Sequence, residues 1–119
     1  MKTTNPYIIP GIKPAPKVLS MMDRVTEFVS YRYGISTEQC RSYSRKGEIA
    51  LARKICMYIL WKCTRSTQEC IGEYYGKDHS TVNHAVKTVS GYLETDKNLV
   101  DEIDEVKDFF ELKILDNKK

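Results

Sequence analysis

The sequence predicts an all-α protein, a compact bundle of about five or six helices that contains a helix-turn-helix at about residues 66–93. Apolar residues recur at three- and four-residue spacing in several long segments, which is the spacing of one helix face. Two sequences of the form S-x-x-[QE], at 36–39 and 66–69, have the pattern of capping boxes that begin helices. No segment alternates apolar and polar residues as a half-buried strand does.

The chain has 119 residues, the length of one domain. A chain of this size buries enough surface to be stable without a disulfide or a metal. No apolar run approaches the ~20 residues of a membrane span, and the N-terminus lacks the apolar core of a signal peptide. We therefore expect a cytoplasmic protein that does not contact membranes.

The net charge of +3 is unevenly distributed along the chain. Residues 1–93 carry 14 Lys and Arg against 7 Asp and Glu, whereas residues 94–119 carry 5 against 9. The window 41–65 is the most basic, with seven Lys or Arg residues and a single Glu. This excess suggests an anionic partner for the middle of the chain, although a solvated helix face would look the same.

The two ends differ in composition from residues 17–115, which we expect to form the folded domain. Residues 1–16 hold all four prolines, so we expect an extended or disordered arm there. Its apolar residues could lie on the domain or on a partner: Tyr7, Ile8, Ile9 and Ile12. Residues 116–119 are expected to be a short tail.

Three helices are predicted before the helix-turn-helix. The first begins at Lys17 and ends at Gly34, and a short one follows the capping box at 36–39. The segment 41–47, which we call the basic loop, is polar, basic and ends in glycine. The third pattern, from Ile49 to Cys63, is apolar around so much of its circumference that we expect it to be the central helix.

The helix-turn-helix pattern follows. The capping box at 66–69 opens its first helix, Gly76 can adopt the left-handed conformation that ends it, and Asp78 can cap the next. The second helix, predicted at 78–93, has an apolar stripe and an opposite polar face that includes His79, Ser80, Asn83, Lys87 and Ser90. Its first turn offers donors and acceptors suited to base edges and phosphates. An acidic helix is predicted from about 97 to 115. It should cap the core on the side away from the polar face of the helix at 78–93.

Gly76–Ala85, which reads G-K-D-H-S-T-V-N-H-A, resembles the signature G-R-D-H-[ST]-T-V-x-H-A of the C-terminal DNA-binding domain of DnaA, the bacterial replication initiator. Ile71-Gly72 and the helix at 52–60 are also similar to that family, and the resemblance spans about residues 20–112. The resemblance implies a Trp-repressor-like helix-turn-helix. It also implies sequence-specific binding of double-stranded DNA, in replication initiation, its regulation or transcription control.

The resemblance also implies roles for individual residues. Its base-reading positions correspond to Lys77, Asp78, His79 and Ser80. Its phosphate contacts correspond to Thr81 and His84 in the recognition helix and to Arg45 and Lys46 in the basic loop, and Lys87 is included with them. We expect no cofactor and no enzymatic activity. A protein partner, such as the replication initiator itself, could bind through the arm or the acidic last helix.

The sequence departs from the family pattern in three ways that bear on function. Tyr75-Gly76-Lys77 offers one glycine where the family usually has two, and Lys77 stands in place of the usual arginine. The chain contains no G-x-x-x-x-G-K-[ST] phosphate loop, so we expect the DNA-reading domain standing alone without the ATPase.

Other interpretations remain open at this point. The fold could serve as a protein-interaction module that has lost specific DNA binding. A metal-dependent nuclease would have to use Asp78, His79 and His84. The spacing of Cys56, Cys63 and Cys70 favours buried thiols on one helix face over a zinc site.

Overall fold

The computed structural model describes the backbone of residues 17–115 and the side chains of residues 21–115. The predicted arm at 1–16 and tail at 116–119 lie outside these described residues. Within them the chain forms six helices: α1 Lys17–Tyr33, α2 Thr37–Cys40, α3 Gly47–Cys63, α4 Gln68–Tyr75, α5 His79–Leu93 and α6 Lys97–Phe109. The predicted all-α class and the helix-turn-helix, formed by α4 and α5, are confirmed.

The central position of α3 follows from its composition. Most of its side chains are buried, including the whole run from Ile55 to Leu60. Each of the other five helices packs against it, with α5 and α1 making the broadest contacts. A helix that is apolar on nearly all sides is stable only when others surround it. The core therefore lies around α3.

Local signals in the sequence set the ends of α1 and α2. Gly34 takes a left-handed conformation with φ of 68°, and the Ile35 amide donates to the Ser30 carbonyl at 3.0 Å. The predicted capping box is present at α2, where the Ser36 hydroxyl and the Gln39 side chain each accept from the other's backbone N–H.

Two buried or half-buried hydrogen bonds hold α4 against α1. The hydroxyl groups of Thr26 and Tyr75 lie 2.7 Å apart, and the Tyr74 hydroxyl donates to Asp23 at 2.6 Å. Burial raises the pKa of Asp23 despite that hydrogen bond and the nearby charge of Arg41. These contacts fix the first helix of the helix-turn-helix on the bundle.

Several predicted boundaries were wrong. The N-cap of α4 is Thr67, whose side chain accepts from the Cys70 amide, rather than Ser66. Gly47 begins α3 rather than ending the basic loop. The last helix ends at Phe109, well before residue 115, because Phe110 leaves helical geometry and Glu111 adopts a positive φ of 56°. Ile114, within the predicted helix, therefore lies beyond α6 and is exposed.

No helix within residues 17–115 is both long and apolar enough to cross a membrane.

Candidate nucleic-acid interface

In the turn between α4 and α5, the backbone at Lys77 lies directly against the backbone of α4 at Gly72. Gly76 has φ of 69° and ends α4 in the left-handed conformation, and the Lys77 amide donates to the Gly72 carbonyl at 2.8 Å. A Cβ atom added at Gly72 would lie 2.5 Å from the Lys77 carbonyl oxygen. Gly72 therefore lets the turn pack directly on α4, which sets the entry of α5.

Asp78 caps α5, and its Oδ1 atom accepts three hydrogen bonds. The donors are the Thr81 amide at 3.0 Å, the Thr81 hydroxyl at 2.9 Å and the Ser80 hydroxyl at 2.8 Å. These bonds stabilise the carboxylate and lower the pKa of Asp78. The first turn of α5 is thus ordered by Asp78, which is the predicted N-cap.

The predicted contact residues of α5 all lie on its exposed side. Asp78, His79, Ser80 and Thr81 form the exposed first turn. His84 and Lys87 continue this exposed surface along the helix, and His84 Nε2 lies 3.5 Å from the Thr88 hydroxyl. Asn83, also predicted to be polar and outward, is half-buried and accepts from Gln68 at 3.4 Å.

Lys77 differs from the other predicted base-reading residues, because its side chain points to the basic loop. Its Nζ atom donates to the Ser42 carbonyl at 3.2 Å and lies 3.9 Å from the centre of the Tyr43 ring. Desolvation lowers the pKa of Lys77, and the positive charge of Arg53 adds to this. The structure places Lys77 as a link between the turn and the loop.

Arg41 makes a second link, from the start of the basic loop to α4. Its Nε and Nη2 atoms donate to the Tyr74 carbonyl at 3.0 and 2.8 Å, and the guanidinium lies 4.0 Å from the centre of the Tyr74 ring. The fixed fork of an arginine suits such a paired contact. The basic loop is therefore held both to α4, through Arg41, and to the turn that follows α4, through Lys77.

Arg53, on α3, holds the basic loop through hydrogen bonds to backbone carbonyl groups just before the loop and in its middle. It is only 7% exposed, and its guanidinium donates to the Cys40 carbonyl at 2.9 Å and the Ser44 carbonyl at 3.0 Å. Arg53 is one of the seven basic residues of the window 41–65, for which the sequence suggested an anionic partner. The structure gives Arg53 a structural role, because its side chain is buried and bonded to the backbone of the loop.

Arg45 and Lys46, the predicted backbone contacts, are exposed on the outer part of the loop. Arg45 lines a surface cavity together with Lys54, Asp96 and Glu102. The prediction that the acidic last helix lies away from the basic surface is therefore wrong for its first turns, which share this cavity. The short turn after α5 brings them back beside α3.

Sequence reasoning missed Arg41 and Tyr43 as parts of this surface. Tyr43 is 79% exposed, and the stretch Arg41-Ser42-Tyr43-Ser44-Arg45 interleaves an aromatic ring with positive charges. That interleaving is a recurrent feature of nucleic-acid-binding segments and was the available signal.

The prediction of buried thiols is correct for two of its three cysteines, Cys56 and Cys63, and wrong for Cys70. Cys40, Cys56 and Cys63 are buried free thiols, but Cys70 is exposed on α4. The seven-residue spacing misleads at Cys70 because α3 ends before it. Among the described residues, no group of three or more His, Cys, Asp or Glu side chains could hold a metal ion.

The fold and this surface define a helix-turn-helix domain of the DNA-binding class. Residues 22–89 match the family model described as the bacterial dnaA protein helix-turn-helix, and the chain belongs to this family. The resemblance carried by Gly76–Ala85 is thereby confirmed.

Two relatives illustrate the similarity. The chromosomal replication initiator protein DnaA of Bacteroides thetaiotaomicron is 32% identical over 108 residues, which cover 90% of this chain and 23% of that protein. The same initiator of Caldanaerobacter subterraneus subsp. tengcongensis is 39% identical over 83 residues, 70% of this chain and 19% of that protein. The chain thus spans about a fifth of the length of these relatives.

Proposed function

We propose that this chain binds duplex DNA in a sequence-specific manner, with the first turn of α5 in the major groove and the basic loop on the phosphate backbone. One observation carries the proposal. Lys77 joins the turn before α5 to the loop, so the exposed polar turn and the exposed loop cations form one continuous surface. A recognition helix flanked by backbone-binding cations is the general arrangement of helix-turn-helix proteins on DNA.

Base reading is assigned to Asp78, His79 and Ser80. A carboxylate accepts from cytosine N4, a hydroxyl can donate or accept, and an imidazole can donate or contact a thymine methyl group. Since Asp78 Oδ1 already serves the cap, base contact falls to its other oxygen. Lys77 belongs to this set only if its ammonium leaves Tyr43 when DNA binds.

Phosphate binding is assigned to Thr81, His84 and Lys87 on α5 and to Arg45 and Lys46 on the loop. Thr81 lies in the first turn of α5, where free N–H groups and the helix dipole favour an anion. The loop cations supply charge without sequence preference, so they position the helix rather than select a site.

The similarity to replication initiators suggests a role in replication initiation, in its regulation or in transcription control. The chain contains no phosphate-loop motif. Our proposal for these 119 residues is the reading of DNA. The initiator is also a possible protein partner to test, through the N-terminal arm or the acidic last helix. Separately, a protein with a related reading domain would compete with the initiator for the same DNA sites.

In vitro selection from random duplexes, followed by comparison of the selected site with an initiator-type origin box, tests the proposal. We expect enrichment of a defined site. His79→Ala should lower the discrimination between that site and random duplex by about 5- to 150-fold, since a good base contact is worth ~1–3 kcal/mol. If wild-type protein binds all duplexes equally, base reading is refuted, and absence of duplex binding would favour a protein-interaction module.

Asp78→Asn provides a matched control for the cap. Asparagine also caps helices well, so the fold of α5 should persist while the acceptor facing the bases becomes an amide. A changed site preference with unchanged thermal stability supports base reading by Asp78. An unchanged preference would restrict Asp78 to its capping role.

A further inference from the structure

A cluster of two exposed and two half-buried aromatic side chains lies where the second half of α1 meets the end of α6. We call Phe28, Tyr31, Phe109 and Phe110 the aromatic patch. The Phe28 ring lies 4.7 Å from that of Phe109 and 5.6 Å from that of Phe110, and the latter two rings are 4.9 Å apart. Tyr31 is 88% exposed and Phe109 is 64% exposed. Exposed aromatic side chains that lie side by side usually mark a surface that another segment or protein covers.

Charged side chains border this patch in a groove. The Arg24 guanidinium lies 5.6 Å from the centre of the Phe110 ring. Arg32 is already paired with Glu102, at 3.7 Å, and with Glu105. The helix α6 as a whole carries five Asp or Glu residues and two Lys. The groove also contains Glu27 and Glu105, so its four charged side chains balance, and the excess negative charge lies on the rest of α6. An apolar occupant therefore fits the rings, and basic residues flanking it fit α6.

We propose that residues 7–12 of this chain's own N-terminal arm, Tyr-Ile-Ile-Pro-Gly-Ile, pack on the aromatic patch. This segment holds the apolar residues of the arm, and residues 1–16 carry Lys2 and Lys13 without any Asp or Glu. The arm is therefore apolar at its middle and basic overall, which complements the patch and α6.

The length of the arm is suitable. Phe28 and Tyr31 lie 11 and 14 residues beyond Lys17, or about 16 and 21 Å along the helix at ~1.5 Å per residue. An extended proline-rich chain advances ~3.1 Å per residue, so Ile12 and Tyr7 can reach about 15 and 31 Å back from Lys17. Residues 7–12 running back along α1 thus bracket the patch.

Covalent attachment favours this occupant over a second copy of the chain. A short tether gives a local concentration in the millimolar range, so weak apolar contacts suffice. A second copy would need the same contacts to hold at the free protein concentration. The tethered arm therefore needs a much weaker intrinsic affinity for the rings than a second copy does.

Photo-crosslinking in the full chain tests this proposal. A benzophenone amino acid in place of Tyr7 should yield crosslinks within one chain to peptides that contain the patch residues, at a fraction independent of protein concentration. The same probe in place of Tyr43, an exposed tyrosine of the basic loop, should give no crosslink to the patch. Crosslinks between chains that rise with concentration would overturn the proposal in favour of a second copy. Crosslinks scattered over the domain would overturn it outright.

Variants on both sides of the contact complete the test. Tyr31→Ser with Phe109→Ser should lower the crosslink yield at least about fivefold, whereas Ile114→Ser, an exposed apolar residue outside the patch, should leave it unchanged. Ile8→Ser with Ile9→Ser should lower the yield equally without altering the folded domain, which covers the case in which the patch variant unfolds. An unchanged yield in this arm variant would contradict the proposal.

Discussion

The ammonium group of Lys77 lies 3.9 Å from the centre of the Tyr43 ring, so the turn of the helix-turn-helix and the basic loop are in direct contact. The two residues are 34 positions apart in the chain, and their contact is reinforced by the bond from Lys77 to the Ser42 carbonyl. Through this contact the basic loop and the turn before α5, which are far apart in the sequence, form one surface.

Tyr43→Ala should weaken duplex binding by about two- to fivefold for all sequences, because an exposed cation–π contact is worth ~0.5–1 kcal/mol. Tyr43→Phe keeps the ring and should bind as wild type. Fluorescence anisotropy at one fixed salt concentration measures both. Tyr31→Ala, which removes an exposed tyrosine from α1, is the matched control and should leave DNA affinity unchanged. Equal affinity of the Tyr43→Ala variant and wild type would show that this contact does not position the loop.

Arg53→Met should lower the free energy of unfolding by about 2–4 kcal/mol, because it removes charged hydrogen bonds to two buried or half-buried carbonyl groups. Arg53→Lys should recover only part of this loss, since an ammonium cannot reproduce the paired geometry of the guanidinium. Urea denaturation gives these values. Lys54→Met, at the neighbouring position, is the control and should have a much smaller effect. Similar losses for the two methionine variants would refute a specific role of Arg53.

Gly72→Ala should destabilise the protein by about 1–3 kcal/mol, because the new methyl group meets the Lys77 carbonyl and something must shift. Gly91 provides the matched control within α5. A Cβ there has no neighbour within 4 Å, so Gly91→Ala should raise stability by about 0.5–1 kcal/mol through its helix propensity. Thermal unfolding distinguishes the two signs. A stabilising Gly72→Ala change would mean that the turn does not rest on α4 as described.

Asp23→Asn should raise stability at neutral pH, and the gain should vanish in acid. Burial raises the pKa of Asp23 in the folded state above its usual value, so the protein pays to keep the carboxylate charged. The stability contributed by protonated Asp23 is fully present below the unfolded-state pKa and is lost as pH rises through the folded-state pKa. Asparagine can still accept from Tyr74 and carries no charge. Melting curves of both proteins at about pH 7 and pH 3.5 should show that the difference in melting temperature between variant and wild type is smaller at the lower pH. A difference that is the same at both pH values would contradict burial as the cause.

Helices with a clear apolar stripe could be predicted from the sequence. The stripe of α5 is buried at Val82, Ala85, Val86 and Val89, and α3 is apolar around most of its circumference. Caps made by local hydrogen bonds, such as Ser36 and Asp78, could also be predicted, because donor and acceptor are three residues apart.

The errors arise where distant parts of the chain decide the structure. The last helix ends at Phe109 with no glycine or proline to signal it, and Glu111 takes the positive φ instead. The family resemblance made Lys77 a candidate for base contact, and the basic window 41–65, for which an anionic partner was suggested, includes Arg53. Their loop partners lie in other segments, so no local pattern shows that both side chains are already engaged.

Salt dependence of duplex binding tests the central claim most directly. We expect log K to fall linearly with log salt, since phosphate contacts release counterions with a slope of about −0.9 per contact. Arg45→Ala with Lys46→Ala should weaken binding to all sequences and flatten that slope by about 1.8. Lys113→Ala, which removes an exposed cation beyond α6, should leave the slope unchanged. A slope that is the same for wild type and the loop variant would remove the basic loop from the interface and contradict the account.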